Sequence, residues 1–143
     1  MKFFFLIAVL ILTQSGLVFA RDSPSPASAQ VYFVNLVDKQ EVKSPFRVVF
    51  GLQGMGVAPA GVDNKAFEHI GHHHLLVNTV LTDEIRKSFI PFDEHHLHFG
   101  KGQTETELNL SPGIYTLMLV FGDPYHAVHA PIVASEKITI EVK

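Results

Sequence analysis

The protein is a chain of 143 residues with nine histidines, no cysteine and a net charge of −3 at pH 7. Charged residues make up 17% of the sequence and apolar residues 47%, a balance typical of a packed globular domain and not of a disordered acidic tail. The lack of a basic excess excludes nucleic acid as a partner. The length allows one ordinary domain and excludes a multi-domain enzyme.

Residues 1–20 have the pattern of a secretory signal peptide. Lys2 precedes an apolar run over residues 3–12, and Val18 and Ala20 occupy the two positions before the cut that favour small side chains. The apolar run is too short for a membrane-spanning helix, which needs about 20 residues. The sequence therefore predicts a periplasmic or secreted protein that has no stable membrane anchor after cleavage.

A flexible linker is predicted at residues 21–30, which contain prolines and serines but no apolar period. Residues 31–143 then alternate short β-rich segments with Gly, Pro and Asp, and no helical period persists beyond a turn or two. The predicted strands are residues 31–36, 46–52, 72–78, 97–99, 104–110, 114–121 and 137–142. Seven short strands predict an all-β fold, an immunoglobulin-like two-sheet antiparallel β-sandwich.

Two local features accompany these strands. Residues 82–88 have acidic side chains first and basic ones last, which predicts a short helix because the helix dipole favours that order. Pro112 and Gly113 force a turn, and Tyr115 opens the next strand in the manner of a tyrosine corner. We expect this tyrosine to be structural and to take no part in chemistry.

The histidines occupy three separate segments of the chain, residues 69–74, 95–98 and 126–129. In an immunoglobulin-like strand order, the connections or short strands that carry these segments lie at or near one end of the sandwich. Imidazoles that are remote in sequence are therefore expected to meet there.

Residues two apart on a strand share a face, so each His-x-His pair on a predicted strand can direct two imidazoles at one ion. Two more histidines lie three residues apart in the last loop. The predicted metal ligands are His72, His74, His96, His98, His126 and His129. His73 faces the opposite side of its strand and is interpreted as a core histidine.

Neutral imidazole suits copper, zinc, nickel and cobalt, and we expect copper or zinc. Without cysteine the ion cannot be held by thiolate, although Met55 in a glycine-rich loop could add a thioether and so favour cuprous copper. No organic cofactor is expected, because the glycines at positions 51, 54 and 56 are not followed by the helix that a dinucleotide-binding loop requires.

Two alternatives stay open. The histidines could form a metal-free hydrogen-bonded network with Asp93, Glu94 and Asp123, in a domain that serves as an accessory to another envelope protein or to glycans. A His-x-His pair followed by Phe99 and Gly100 is also reminiscent of copper superoxide dismutases, although the disulfide and the fuller ligand pattern of those enzymes are missing.

The chain resembles a family of small exported bacterial proteins known as domain of unknown function number 4399, over roughly residues 31–142. The resemblance is carried by residues 44–46, 50–61, 71–76, 96–105, 112–113, 119, 122–123, 126 and 129–131. It implies that the histidine motifs are the family's own pattern and act together, and it brings no reaction. The chain departs from the pattern at Tyr115, where a histidine is expected, and at Ile132, where a second proline is common.

These observations predict an exported histidine-rich β-sandwich that binds a transition metal for storage, delivery or tolerance. An enzyme is the less favoured interpretation, because no serine lies in the context of an activated nucleophile.

Overall fold

The computed structural model describes residues 23–63 and 68–143, so the predicted signal peptide at residues 1–20 lies outside the described part of the chain. The described residues form nine strands and one short helix. The strands are β1 (Gln30–Phe33), β2 (Gln40–Val42), β3 (Phe46–Gln53), β4 (Gly56–Val57), β5 (Ile70–Val77), β6 (His96–His98), β7 (Glu105–Leu108), β8 (Gly113–Gly122) and β9 (Ile138–Val142), and the helix is α1 (Asp83–Arg86).

The strands make two packed sheets, which confirms the predicted all-β sandwich. The smaller sheet has the order β1-β3-β7, and the larger has the order β2-β9-β8-β5-β4 with β6 also paired to β5. Each of the seven predicted strands overlaps an observed one. The two additional strands, β2 and β4, pair in parallel with β9 and β5, and they are too short to show the alternation by which a strand is recognised in sequence.

The main core lies between the sheets. Phe46, Val48 and Phe50 of β3 face it at alternate positions, as do Ile138 and Ile140 of β9, because successive side chains of a strand point to opposite faces.

A second apolar cluster covers the outer face of the larger sheet. Its members are Leu76, Leu81, Ile85, Ile90, Val120 and Val128. They come from β5, from β8 and from the two long connections that cross this face, which leaves β8 buried on both sides.

The predicted helix and tyrosine corner are both confirmed. The Thr82 side chain accepts a hydrogen bond from the Ile85 amide at 3.3 Å and so caps α1. The Tyr115 hydroxyl donates to the Ser111 carbonyl at 3.1 Å. Within residues 23–63 and 68–143, no helix has the length and apolar character needed to cross a bilayer.

The part of the predicted flexible linker that the structure describes, residues 23–30, is docked instead of free. The Ala130 amide donates to the Ser23 carbonyl at 2.9 Å, and the Ser25 amide donates to the Ala130 carbonyl at 3.2 Å. Ser23 and Ser25 are buried. Small polar side chains and backbone hydrogen bonds hold this segment. Neither produces a periodic pattern of apolar residues, so the sequence did not predict the docking.

Candidate metal centre

Three consecutive histidines of β5 are divided between the two faces of the larger sheet. His73 points into the core, where its ring lies 5.1 Å from both the Phe50 and Phe121 rings. His72 and His74 point to the outer face, with ring centroids 4.8 Å apart. The predicted opposite facing of His73 is therefore confirmed.

The pairing of β6 with β5 brings a third histidine to the outer face. Antiparallel register places His98 opposite His74. The Nε2 atoms of His98 and His72 lie 3.1 Å apart. The sequence predicted that these imidazoles meet at one end of the sandwich, and they do so on the outer face of one sheet, next to the end of β8.

A turn after β8 supplies a fourth ring. The Asp123 carboxylate accepts hydrogen bonds from the amides of Tyr125 and Ala127, both at 2.8 Å. This turn holds His126 at a φ of 70°, a conformation uncommon for any residue but glycine. The Nε2 atoms of His126 and His98 lie 3.0 Å apart.

The ligand nitrogens of His72, His98 and His126 all lie within 4.8 Å of one another. His72 is buried, whereas His98 and His126 are half-buried. These three side chains, which we call the histidine centre, come from three remote segments and are close enough to hold one metal ion.

Two histidines of the centre, His72 and His98, have lowered pKa values. Burial, followed by the neighbouring His98 and His126, lowers the pKa of His72 from the ordinary 6.5 to about 3. Burial and then His126 lower the pKa of His98. A neutral imidazole presents a lone pair, which is the form that binds metal.

Three of the six predicted ligands are not members of the centre: His74, His96 and His129. His96 Nδ1 is 2.8 Å from the Asp93 carboxylate, and His129 Nδ1 is 2.9 Å from the Ser23 hydroxyl, with its ring stacked on Phe121. His96 lies opposite Leu76 in the register, whereas His98 lies opposite His74, and the Asp93 carboxylate engages the His96 ring instead of the centre.

Gly100 is a residue of the site that sequence reasoning missed. A Cβ at this position would overlap the His98 ring at Cε1 and Nε2, so the glycine provides the space in which that ring turns toward His72. A glycine two residues after a strand histidine was the available signal.

Met55, the potential thioether ligand, packs against the core between the sheets.

The sandwich and its buried imidazoles define a class of small β-sandwich domain with a site compatible with metal binding.

The sequence model of a family described as Domain of unknown function (DUF4399) matches residues 48–143. The match covers more than half of the chain and contains all nine histidines, so the chain belongs to that family. No curated protein and no solved structure matches the chain.

Proposed function

We propose that this protein is an exported module that binds one transition metal ion, copper or zinc, at His72, His98 and His126 for storage, delivery or tolerance. Export is supported by the sequence of residues 1–20 alone. The main support for metal binding is the convergence of three Nε2 atoms. That of His98 lies 3.1 Å from that of His72 and 3.0 Å from that of His126.

Those separations suit one metal ion. Nitrogens about 2.0–2.1 Å from an ion, at angles between square-planar and tetrahedral values, are roughly 2.9–3.4 Å from each other. The two separations from His98 match this range, and the His72 and His126 nitrogens, which lie within 4.8 Å of each other, draw closer as the rings close on an ion.

A metal-free hydrogen-bond network accounts for the same contacts less well. The Nε2 atom of a neutral imidazole carries either one hydrogen or one lone pair. His98 Nε2 faces two partners, so it cannot make a full hydrogen bond to each of them. A metal ion accepts all three lone pairs at once.

The test is metal analysis of the full chain, expressed without a histidine tag. We expect about one copper or zinc per folded chain. At a free metal concentration 100 times the dissociation constant, binding stabilises the fold by about 2.7 kcal/mol, which corresponds to a rise of about 8 °C in the melting temperature.

A matched pair of double variants makes the test specific. His72→Ala with His98→Ala should abolish binding and the thermal shift. His69→Ala with His95→Ala removes the same number of imidazoles outside the centre, one half-buried and one exposed, and should retain both. Absence of metal and of any thermal shift in the unaltered chain would refute the proposal.

A further inference from the structure

The histidine centre consists of three side chains, and a fourth histidine, His74, lies next to it without belonging to it. His74 is wholly buried, and it is not a member of the set whose ligand atoms lie within 4.8 Å of one another. Its ring is 4.8 Å from that of His72 but 5.8 Å from that of His126. Its ring is also 5.3 Å from that of His98, so His74 lies beside the centre while its ring nitrogens fall outside the 4.8 Å set.

The position of His74 is set by tight packing. Its Nε2 lies against Gly122, where an added Cβ would be only 3.2 Å away, and the Ile90 side chain approaches the same point. Opposite His74 in the register is the fully buried Val120. Because close-packed surroundings resist rotation of a ring, this packing favours the position that His74 has outside the set.

Among the described residues, no carboxylate joins the three histidines as a potential ligand, because the set contains histidine alone. The Asp93 carboxylate accepts hydrogen bonds from the His95 and His96 amides and is paired with the His96 ring. Transition-metal sites with three protein ligands keep a further position for water or substrate, whereas purely structural sites fill all four.

We infer that the histidine centre is an open site, in which a bound ion keeps one coordination position for an exchangeable water or small anion. The inference rests on the proposed function. The accessible side is that of the two half-buried rings, His98 and His126. There the Phe92 ring, 78% exposed, lies edge-on 5.6 Å from the His98 ring and borders the approach to the ion.

The experiment is a titration of the full-length copper(II)-loaded protein with azide, followed by visible absorption and electron paramagnetic resonance. An open site gives a new ligand-to-metal charge-transfer band that saturates at one azide per copper. Copper that stays bound with an unchanged spectrum would show a closed site and overturn this inference, while leaving the proposed function intact. A protein that binds neither copper nor zinc would overturn both.

His74→Leu tests the same point independently. Loss of a residue outside the coordination sphere costs about 10–100-fold in metal affinity, so at saturating copper the variant should keep one copper per chain and the full azide response. Loss of copper from a variant that remains folded by circular dichroism would make His74 the fourth ligand and refute the open site. The azide titration of the unaltered protein decides the matter if the variant does not fold.

Discussion

At the scale of single residues, histidines of the same strand have different roles, because odd and even positions point to opposite faces of the sheet. His72 and His73 are neighbours, yet one ring joins the histidine centre and the other packs between Phe50 and Phe121. The pleat alone causes this division, because successive side chains leave a strand on opposite faces. A count of histidines therefore overstates the ligands available at any one site.

Gly100 supports a prediction at this scale. Gly100→Ala should lower metal affinity by at least about tenfold, the usual cost of disturbing the residues that orient a ligand, because the new methyl group occupies the space of the His98 ring. Isothermal titration calorimetry with copper or zinc measures the change.

Gly56→Ala is the matched control. Its added Cβ would make an ordinary 3.4 Å contact with Ile70, so metal affinity should stay near that of the unaltered chain. Equal affinity in the two glycine variants would contradict the role assigned to Gly100.

At the scale of elements, strand pairing builds the centre. β5 and β8 are adjacent, as expected for the predicted order, and β6 joins the same sheet through β5. This pairing sets His98 beside His72, while the turn at Asp123 brings His126 over them. Strand pairing thus positions the histidines of β5 and β6, and the hydrogen bonds of the turn after β8 position His126.

The docked segment at residues 23–30 supports the second prediction. Ser23→Ala removes the buried hydroxyl that lies 2.9 Å from His129 Nδ1, so the free energy of unfolding should fall by about 1 kcal/mol. Urea denaturation followed by circular dichroism measures the loss. Ser28→Ala, at an exposed position of the same segment, should leave stability unchanged, and equal effects of the two substitutions would count against docking.

Sequence reasoning succeeded for elements whose signal is local. Seven strands, the helix and the tyrosine corner follow from alternation, capping and turn residues within a few positions of one another. It failed for β2, β4 and the docked segment, because their partners lie far away in the chain and only pairing with those partners gives them structure.

At the scale of the whole molecule, the sandwich is built around apolar packing. Two apolar clusters lie on either side of the larger sheet, and a core of this kind supplies the main driving force for folding. The buried histidines instead make stability depend on pH.

The third prediction concerns that dependence in chelator-treated protein. Burial is the main cause that lowers the pKa values of His72, His73 and His74 to about 3, 4 and 2. The unfolded chain, with pKa values near 6.5, therefore takes up protons first as the pH falls. Stability should be greatest above pH 6.5 and fall toward pH 4, by up to about 1.4 kcal/mol per pH unit for each of these histidines.

Urea unfolding at pH 7.5, 6.5, 5.5 and 5.0 measures the slope. His73→Leu removes one of the three buried groups and should make the slope shallower. Equal stability at pH 7.5 and pH 5.0 in the unaltered chain would show that these histidines are not held neutral by the fold.

The sequence by itself determined the all-β class, most strand positions, the absence of thiolate ligands and the three segments that carry histidine. Periodicity and composition are properties of neighbouring residues, so they can be read without a structure. Only the tertiary structure decided that His72, His98 and His126 converge, while His74 lies beside them outside the set and His96 and His129 take other partners. That choice depends on register between strands and on the path of a loop, which are set by contacts between residues far apart in the chain.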